Sequence, residues 1–182
     1  MIDEKRLKNI GRYMSLLLRH APEKESLDMN SNGFVKVSQL KKVLKINQKD
    51  LDWIVENNNK SRFGYDTYKQ NIRALQGHSV DIDLGLIELT VDDVPEHLYH
   101  GTPVKNYRTI VKIGFLLKMS RQHVHLSPDI DTAQNVGRRG AGKDGIHLFE
   151  IRAKELIKSG FKIYKSENGV YLAEDFPLRY CN

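Results

Sequence analysis

Apolar residues near the start of the chain recur every three or four positions, which is the spacing of a helix that buries one face. The positions that carry this pattern are Leu7, Ile10, Met14 and Leu17. Asp3 can cap the helix at its start, and Pro22 ends it because the residue before a proline avoids helical angles. Arg19 lies roughly opposite the apolar stripe and His20 lies outside it, so neither side chain is required in the core.

The rest of the first half mixes short helices and short strands. After a polar turn, the pattern predicts a strand, two helices and a pair of strands, at residues 34–37, 38–44, 50–55, 60–66 and 71–79. Ser38 is the predicted cap of the first of these helices, and Trp53 is predicted to pack inside. Helices followed by a hairpin predict a small winged-helix-like module over residues 1–90, a fold that often handles nucleic acid.

Two histidine-bearing segments dominate the second half. Residues 98–102 (LYHGT) and 123–127 (HVHLS) each have the composition of a short strand, and a helix closed by Gly114 is predicted between them. Gly101 allows a close approach of the backbone. Two strands that each present an imidazole predict one pocket, for a nucleotide or for a metal.

Downstream of these segments the pattern becomes strand-rich. A helix starts at residues 128–129 and runs into a glycine-rich loop at 137–145. The later elements are strands and a short helix, predicted at 146–151, 154–158, 161–164 and 169–172. With a linker that ends at Pro95, residues 95–182 are predicted to form a second, α+β domain.

The residues of the glycine-rich loop resemble two phosphate-binding motifs, but the loop does not meet the full requirements of either. The G-x-G-x-x-G fingerprint needs a strand before it and a helix after it, and here that order is reversed. A P-loop needs Ser or Thr after its lysine, and Asp144 follows Lys143. Two interpretations stay open: a basic loop that presents Arg138 or Arg139 to an anion, and a solvated turn.

Composition narrows the class of protein. A formal net charge of +6 and a pI near 9.3 favour an anionic partner, although solvated lysine faces produce the same numbers. Cys181 is the only cysteine, which excludes a disulfide framework or a thiolate zinc site within one chain. No run approaches the roughly 20 apolar residues of a membrane span, so we expect a soluble, cytoplasmic protein.

A metal site is the weaker interpretation of the histidines. His123 and His125 alternate along a predicted strand, so only one of them is expected to join His100 on a given face. Zinc requires three or four converging ligands, and no carboxylate is spaced to complete such a set. Imidazoles that hydrogen-bond a ribose or a pyrophosphate fit the pattern better.

Seven segments, in this order, resemble the motifs of the RNA 2′-phosphotransferase family (tRNA 2′-phosphotransferase). They are residues 16–23 (LLLRHAPE), 61–63 (SRF), 73–79 (RALQGHS), 98–102 (LYHGT), 123–127 (HVHLS), 136–139 (VGRR) and 167–170 (ENGV). The resemblance covers nearly the whole chain. It implies a winged-helix-like N-terminal lobe and an ADP-ribosyltransferase-like C-terminal lobe that binds NAD, with the active site in a cleft between them.

The resemblance also implies a reaction in two steps, without a metal. An internal RNA 2′-phosphate attacks the nicotinamide ribose of NAD and expels nicotinamide. The ribose 2″-hydroxyl then attacks the phosphorus, which releases 2′-hydroxyl RNA and ADP-ribose 1″,2″-cyclic phosphate. The implied partner is therefore RNA with an internal 2′-phosphate, and we expect the enzyme to act as a monomer.

Site residues are implied by the same motifs. The catalytic set is Arg19, His20, Arg62 and Arg139. The NAD-binding set is His100, Gly101, Thr102, His125, Leu126, Ser127 and Val170. Contacts to the substrate phosphate or RNA are expected from Gln76, His78 and Arg138. Val170 stands where related transferases often carry a catalytic glutamate, which fits a substrate phosphate that is already a nucleophile.

Two other functions remain as alternatives. One is an ADP-ribosyltransferase that stops after the first step, acting on nucleic-acid phosphates or a protein, and the other is a non-catalytic winged-helix binder. The binder does not account for the two histidine-bearing strands. The one-step transferase does not need Arg19 and His20 as a unit.

Overall fold

The first helix begins and ends where the sequence predicts. α1 (Glu4–Arg19) starts after Asp3, whose carboxylate accepts a hydrogen bond from the Arg6 amide at 2.9 Å. Its apolar face is fully buried at Leu7, Met14, Leu17 and Leu18. Pro22 opens a short 3₁₀ helix, so the chain turns away from the α1 axis.

The computed structural model describes residues 3–58, 61–139 and 141–182. Its contacts divide the chain into two compact units, Met1–Gly85 and Leu86–Asn182. Lys60, in a predicted strand, and Gly140, in the glycine-rich loop, lie outside the described residues.

The remaining elements of the first unit pack on α1. They are β1 (Val35–Lys36), α2 (Val37–Leu44), α3 (Gln48–Glu56), β2 (Phe63–Tyr65) and β3 (Asn71–Ala74). The strands form one antiparallel sheet in the order β1-β3-β2. Side chains from both helices and from the sheet join the face of α1 in one core, among them Leu40, Leu51 and Ile72.

Two local predictions in this unit are wrong. α2 begins at Val37, so Lys36 rather than Ser38 occupies the capping position, and the predicted strand shrinks to two residues. The reason is tertiary: the Val37 side chain is buried and its amide donates to the carbonyl of Gln70 at 2.9 Å. Trp53 is only partly buried and packs at the edge of the core.

The second unit combines short strands with three helices among its described residues. They are β4 (Ile87–Glu88), β5 (His97–Pro103), α4 (Val104–Ile113), β6 (Phe115–Leu116), β7 (Val124–Leu126), α5 (Ile130–Gly137), β8 (Ile146–Arg152), α6 (Ala153–Lys158), β9 (Ile163–Lys165), β10 (Tyr171–Ala173) and β11 (Phe176–Pro177). The strands pair antiparallel as β4-β9-β10-β7, β5-β8 and β6-β11. The two-residue strands β4, β6 and β11 are too short to produce a periodic signal in the sequence.

Local chemistry explains the ends of the helices in this unit. Gly114 follows α4 with a φ of 78°, a left-handed conformation that glycine adopts without strain. Asp129 caps α5 by accepting a hydrogen bond from the Thr132 amide at 2.7 Å. Both signals are local, and both helices lie where they are predicted.

Strand β5 and helix α5 pack with their backbones in contact. A Cβ added to Gly101 would lie 2.0 Å from the carbonyl oxygen of Ala133, and one added to Gly137 would lie 2.8 Å from the carbonyl carbon of Gly101. Only glycine permits this approach. The contact fixes where Arg138 and Arg139 leave α5 relative to β5.

Helices and small antiparallel sheets make this a mixed α/β protein, consistent with the predicted α+β class. The winged-helix-like and ADP-ribosyltransferase-like character of the two halves stays a prediction. None of the described helices combines the length and the apolar character that crossing a bilayer requires.

Candidate active site

A pocket of about 500 Å³ opens in the second unit, within the size range of small-molecule sites. Its wall includes α4, the segment from β6 to β7, and part of β5. Ile110, Leu116 and Val124 supply apolar surface. The polar lining includes His100, Thr102, Lys118, Arg121, His123 and His125. This combination of apolar wall and converging polar groups suits a nucleotide.

The two histidine-bearing strands meet, as predicted. The backbones of Tyr99 in β5 and Ser127 after β7 exchange two hydrogen bonds of 2.8 Å. Nδ1 of His100 lies 2.9 Å from the carbonyl oxygen of His125. Because a carbonyl only accepts, Nδ1 is assigned the proton and Nε2 is left as an acceptor.

His100 is held in its neutral form. Burial lowers its pKa, the hydrogen bond to the His125 carbonyl opposes this, and the positive charge of Arg121 lowers the pKa further. The buried hydroxyl of Thr102, a residue that is 4% exposed, lies on the same pocket. A neutral imidazole and a hydroxyl are groups that hydrogen-bond sugar hydroxyls without adding charge.

Both His123 and His125 line the pocket, so the expectation that only one of them joins His100 is wrong. Residues two apart along a strand lie on the same face, so alternation groups His123 with His125 rather than separating them. Nδ1 of His125 lies 3.1 Å from the carbonyl oxygen of His123, and the His123 ring meets Tyr164 edge-on at 5.6 Å. Burial lowers the pKa of His123.

The other residues of the predicted NAD-binding set contribute to packing, strand pairing or turn formation. Gly101 faces α5, and Leu126 is buried in the core. Ser127 uses its backbone to join β7 to β5. Val170 lies just before β10, where its amide donates to the Ser166 hydroxyl at 3.0 Å. Among the described residues, His100, Thr102 and His125 are the members of this set that line the pocket.

Arg138 and Arg139 differ in their surroundings. Arg138 donates to the side chains of Asn135 at 3.2 Å and Gln134 at 3.3 Å, so it folds back along its own helix. Arg139 is exposed, and its charge lowers the pKa of Arg121, although burial lowers that pKa more. The charge of Arg139 therefore acts on the pocket residue Arg121.

In the first unit, the motif at residues 73–79 folds back onto the end of α1. The carbonyl of Arg19 accepts a hydrogen bond from the Ser79 amide at 2.9 Å, and Nδ1 of His20 lies 2.9 Å from the Ser79 hydroxyl. His20 is exposed, whereas Arg19 is half-buried, with its Nε and Nη2 atoms inside. Two distant segments therefore form one cationic cluster.

His78 lies in the interior beside this cluster. It is 1% exposed, and neither ring nitrogen has a hydrogen-bond partner among the described residues. Burial lowers its pKa to about 4, with smaller contributions from the charges of Arg19, His20 and Arg73. Gln76, the neighbouring residue of the predicted RNA set, is also buried.

Arg62 joins the same region through the sheet. Its carbonyl accepts a hydrogen bond from the Leu75 amide at 2.9 Å, and its Nη1 donates to the Asn58 side chain at 2.7 Å. Arg73, which the sequence analysis did not select, places its guanidinium 4.6 Å above the Phe34 ring. The sequence feature that could have identified Arg73 is its position as the first residue of the motif at 73–79.

Arg121 is the second residue that sequence reasoning missed. It lines the pocket, and its Nη1 lies 3.3 Å from Nδ1 of His125. Arg121 stands two residues before His123, so extending the histidine motif by two residues toward the N-terminus would have included it. In the part of the chain that the structure describes, His, Cys, Asp and Glu side chains form no group of three that could hold a metal.

Comparison with known proteins decides the family. Residues 5–175 match the model of the RNA 2′-phosphotransferase, Tpt1 / KptA family. The chain belongs to this family. The residues of the predicted catalytic, NAD-binding and RNA-binding sets lie within the matched range.

Relatives of this RNA 2′-phosphotransferase family member match it from end to end. A probable RNA 2′-phosphotransferase of Flavobacterium johnsoniae is 43% identical over 98% of this chain and 97% of its own. Another, of Fusobacterium nucleatum, is 40% identical over 94% and 95% of the two chains. A third, of Trichormus variabilis, is 43% identical over 100% and 98%. The resemblance that the motifs indicated is thereby confirmed.

Proposed function

We propose that this chain removes an internal 2′-phosphate from RNA by transferring it to NAD, which is consumed as a co-substrate. The products are 2′-hydroxyl RNA, nicotinamide and ADP-ribose 1″,2″-cyclic phosphate. Family membership supports the removal of the phosphate from RNA. The observation that carries the NAD half of the proposal is the pocket of the second unit, with neutral His100 and buried Thr102 on its wall.

The pocket residues fit a dinucleotide in size and in chemistry. A volume of about 500 Å³ suits a ligand that is partly held at the surface. Acceptor and hydroxyl groups on His100 and Thr102 match ribose hydroxyls, and the cationic side chains of Lys118 and Arg121 match a pyrophosphate. Bound there, NAD would supply a ribose carbon with a good leaving group.

The proposed first step needs charge stabilisation more than proton transfer. A phosphate oxygen of the RNA forms a bond to C1″ of the nicotinamide ribose while the bond from C1″ to the nicotinamide nitrogen breaks. Arg19, Arg62 and Arg139 would hold the phosphate, since guanidinium groups bind its oxygens in a bidentate manner and stay charged. Arg139, whose charge acts on the pocket residue Arg121, suits this role better than Arg138, which folds back on α5.

The proposed second step needs a proton relay. The 2″-hydroxyl oxygen forms a bond to phosphorus, the bond from phosphorus to the RNA 2′-oxygen breaks, and the hydroxyl proton ends on that RNA oxygen. His20 is suited to this transfer because it is exposed and hydrogen-bonded to Ser79, which orients the ring. His78 is a poorer candidate because it is buried and its pKa is about 4.

The test is a reaction of the pure protein with NAD and an oligonucleotide that carries one internal 2′-phosphate. We expect equal amounts of dephosphorylated RNA, nicotinamide and the cyclic phosphate, measured by mass spectrometry, and no reaction with the same oligonucleotide lacking the 2′-phosphate. If ADP-ribosylated RNA is the final product, the one-step transferase is the correct function. If nicotinamide is not released, the role of NAD is wrong.

A further inference from the structure

Ser79 contacts both residues at the end of α1 that the family motifs assign to catalysis. Its amide donates to the Arg19 carbonyl at 2.9 Å, and its hydroxyl oxygen lies 2.9 Å from Nδ1 of His20. The Val80 amide donates to the same Arg19 carbonyl at 3.4 Å. The segment that follows β3 therefore holds the last carbonyl of α1 and the imidazole beside it at the same time.

The chain is anchored on both sides of Ser79. Before it, His78 is buried, and Gly77 turns the backbone with a φ of 86°, a left-handed conformation that suits glycine. After it, the Asp83 amide donates to the Ser31 carbonyl at 2.8 Å. A hydroxyl on a fixed backbone can orient a partner at little cost in entropy, because it is already ordered before the substrate binds.

His20 needs an orienting partner because its side chain is exposed. Exposed side chains change rotamer within nanoseconds, whereas proton transfer requires a ring nitrogen within hydrogen-bond reach of the proton that it takes. A hydrogen bond at Nδ1 restricts the ring to one orientation. The hydroxyl of Ser79 is neutral, so it provides this bond without placing a negative charge beside the site of the RNA phosphate.

We propose that Ser79 is a positioning residue for His20 in the second step: its Oγ accepts a hydrogen bond from Nδ1, which assigns proton exchange to Nε2. The inference rests on the proposed function. Nε2 takes the proton of the 2″-hydroxyl as that oxygen bonds to phosphorus, and returns it to the RNA 2′-oxygen as the bond from phosphorus to that oxygen breaks. The transient positive charge on His20 strengthens the bond from Nδ1 to Ser79, since a charged donor makes the stronger hydrogen bond.

The test measures the two steps separately, in a single turnover of NAD with an oligonucleotide that carries one internal 2′-phosphate. Mass spectrometry of quenched samples gives the rates at which RNA-2′-phospho-ADP-ribose forms and decays. We expect Ser79→Ala to form this intermediate at the wild-type rate and to convert it to product about 10-fold more slowly, the effect of one lost hydrogen bond.

Two further variants serve as controls. Ser79→Thr keeps the hydroxyl and should convert the intermediate at close to the wild-type rate. Ser38→Ala removes a hydroxyl from an exposed position of α2 and should match the wild type in both steps.

A double substitution shows whether Ser79 acts through His20. If it does, Ser79→Ala should slow decay of the intermediate no further in a protein that already carries His20→Ala. The backbone bond from Ser79 to Arg19 does not depend on the hydroxyl, so the melting temperature of Ser79→Ala should stay close to that of the wild type.

Each failure has its own meaning. If the wild type completes both steps and Ser79→Ala converts the intermediate equally fast, this inference alone is overturned. Equal slowing of both steps would indicate a structural role, and additive losses in the double variant would indicate independent action; either result also overturns it. A wild-type protein that releases no nicotinamide overturns the proposed function together with the inference.

Discussion

The imidazole of His78 illustrates how burial sets the chemistry of a single residue. It is enclosed beside Arg19, His20 and Arg73, and neither of its nitrogens has a described partner. Its pKa falls to about 4, mainly through burial, so the ring is neutral at pH 7. A protonated imidazole at this place would add a buried charge to a cluster that is already positive.

This low pKa makes stability depend on pH. Because the folded state protonates His78 near pH 4 and the unfolded state near 6.5, lowering the pH through this window favours unfolding. The loss from this group approaches about 3 kcal/mol at pH 4. We expect His78→Gln to lose less stability than the wild type between pH 6.5 and 4, as measured by urea unfolding at several pH values. Parallel stability curves for the two proteins would contradict a buried neutral His78.

At the scale of elements, the contact between β5 and α5 organises the second unit. β5 carries His100 and Thr102, and α5 ends immediately before Arg138 and Arg139. Gly101 and Gly137 let the two backbones touch, so the pocket wall and the basic loop hold a fixed relation. Gly101 serves the site through packing, since its Cα faces the helix.

A methyl group at this contact should be poorly tolerated. We expect Gly101→Ala to destabilise the protein by more than about 3 kcal/mol, because the new Cβ would overlap a backbone carbonyl that cannot rotate away. Gly160→Ala is the matched control: its Cβ meets open space, and its positive φ costs only about 1 kcal/mol. Thermal unfolding measures both. Similar losses in the two variants would show that β5 and α5 adjust easily.

At the scale of the whole molecule, the predicted site residues divide between the two units. Arg19, His20 and Arg62 belong to the first, and His100 and Arg139 belong to the second. The second unit contains the pocket in which we propose that NAD binds. Binding of the co-substrate and processing of the RNA phosphate should therefore respond to different substitutions in the full-length protein.

The pair His20→Ala and His100→Ala tests this division. His20→Ala should bind ADP-ribose normally and still release nicotinamide, yet accumulate RNA-2′-phospho-ADP-ribose, because loss of a general acid or base slows a step about 10²- to 10⁴-fold. His100→Ala should weaken ADP-ribose binding and slow both steps together. Mass spectrometry of the RNA over time measures the intermediate. A His20→Ala variant whose nicotinamide release falls as much as its RNA product would remove His20 from the second step.

The sequence alone determined the elements whose signals are local. Asp3 and Asp129 mark helix starts and Gly114 marks a helix end because a cap depends on residues within one turn. The motifs around Arg19 and His100 could be recognised from the sequence because each consists of consecutive residues.

Tertiary structure decided which distant groups meet. The burial of His78 and the placement of Arg121 and His100 on one pocket depend on the packing of segments far apart in the chain. Helix caps and periodicity act over a few residues, whereas burial and the field at a charge are set by whatever the fold packs beside it.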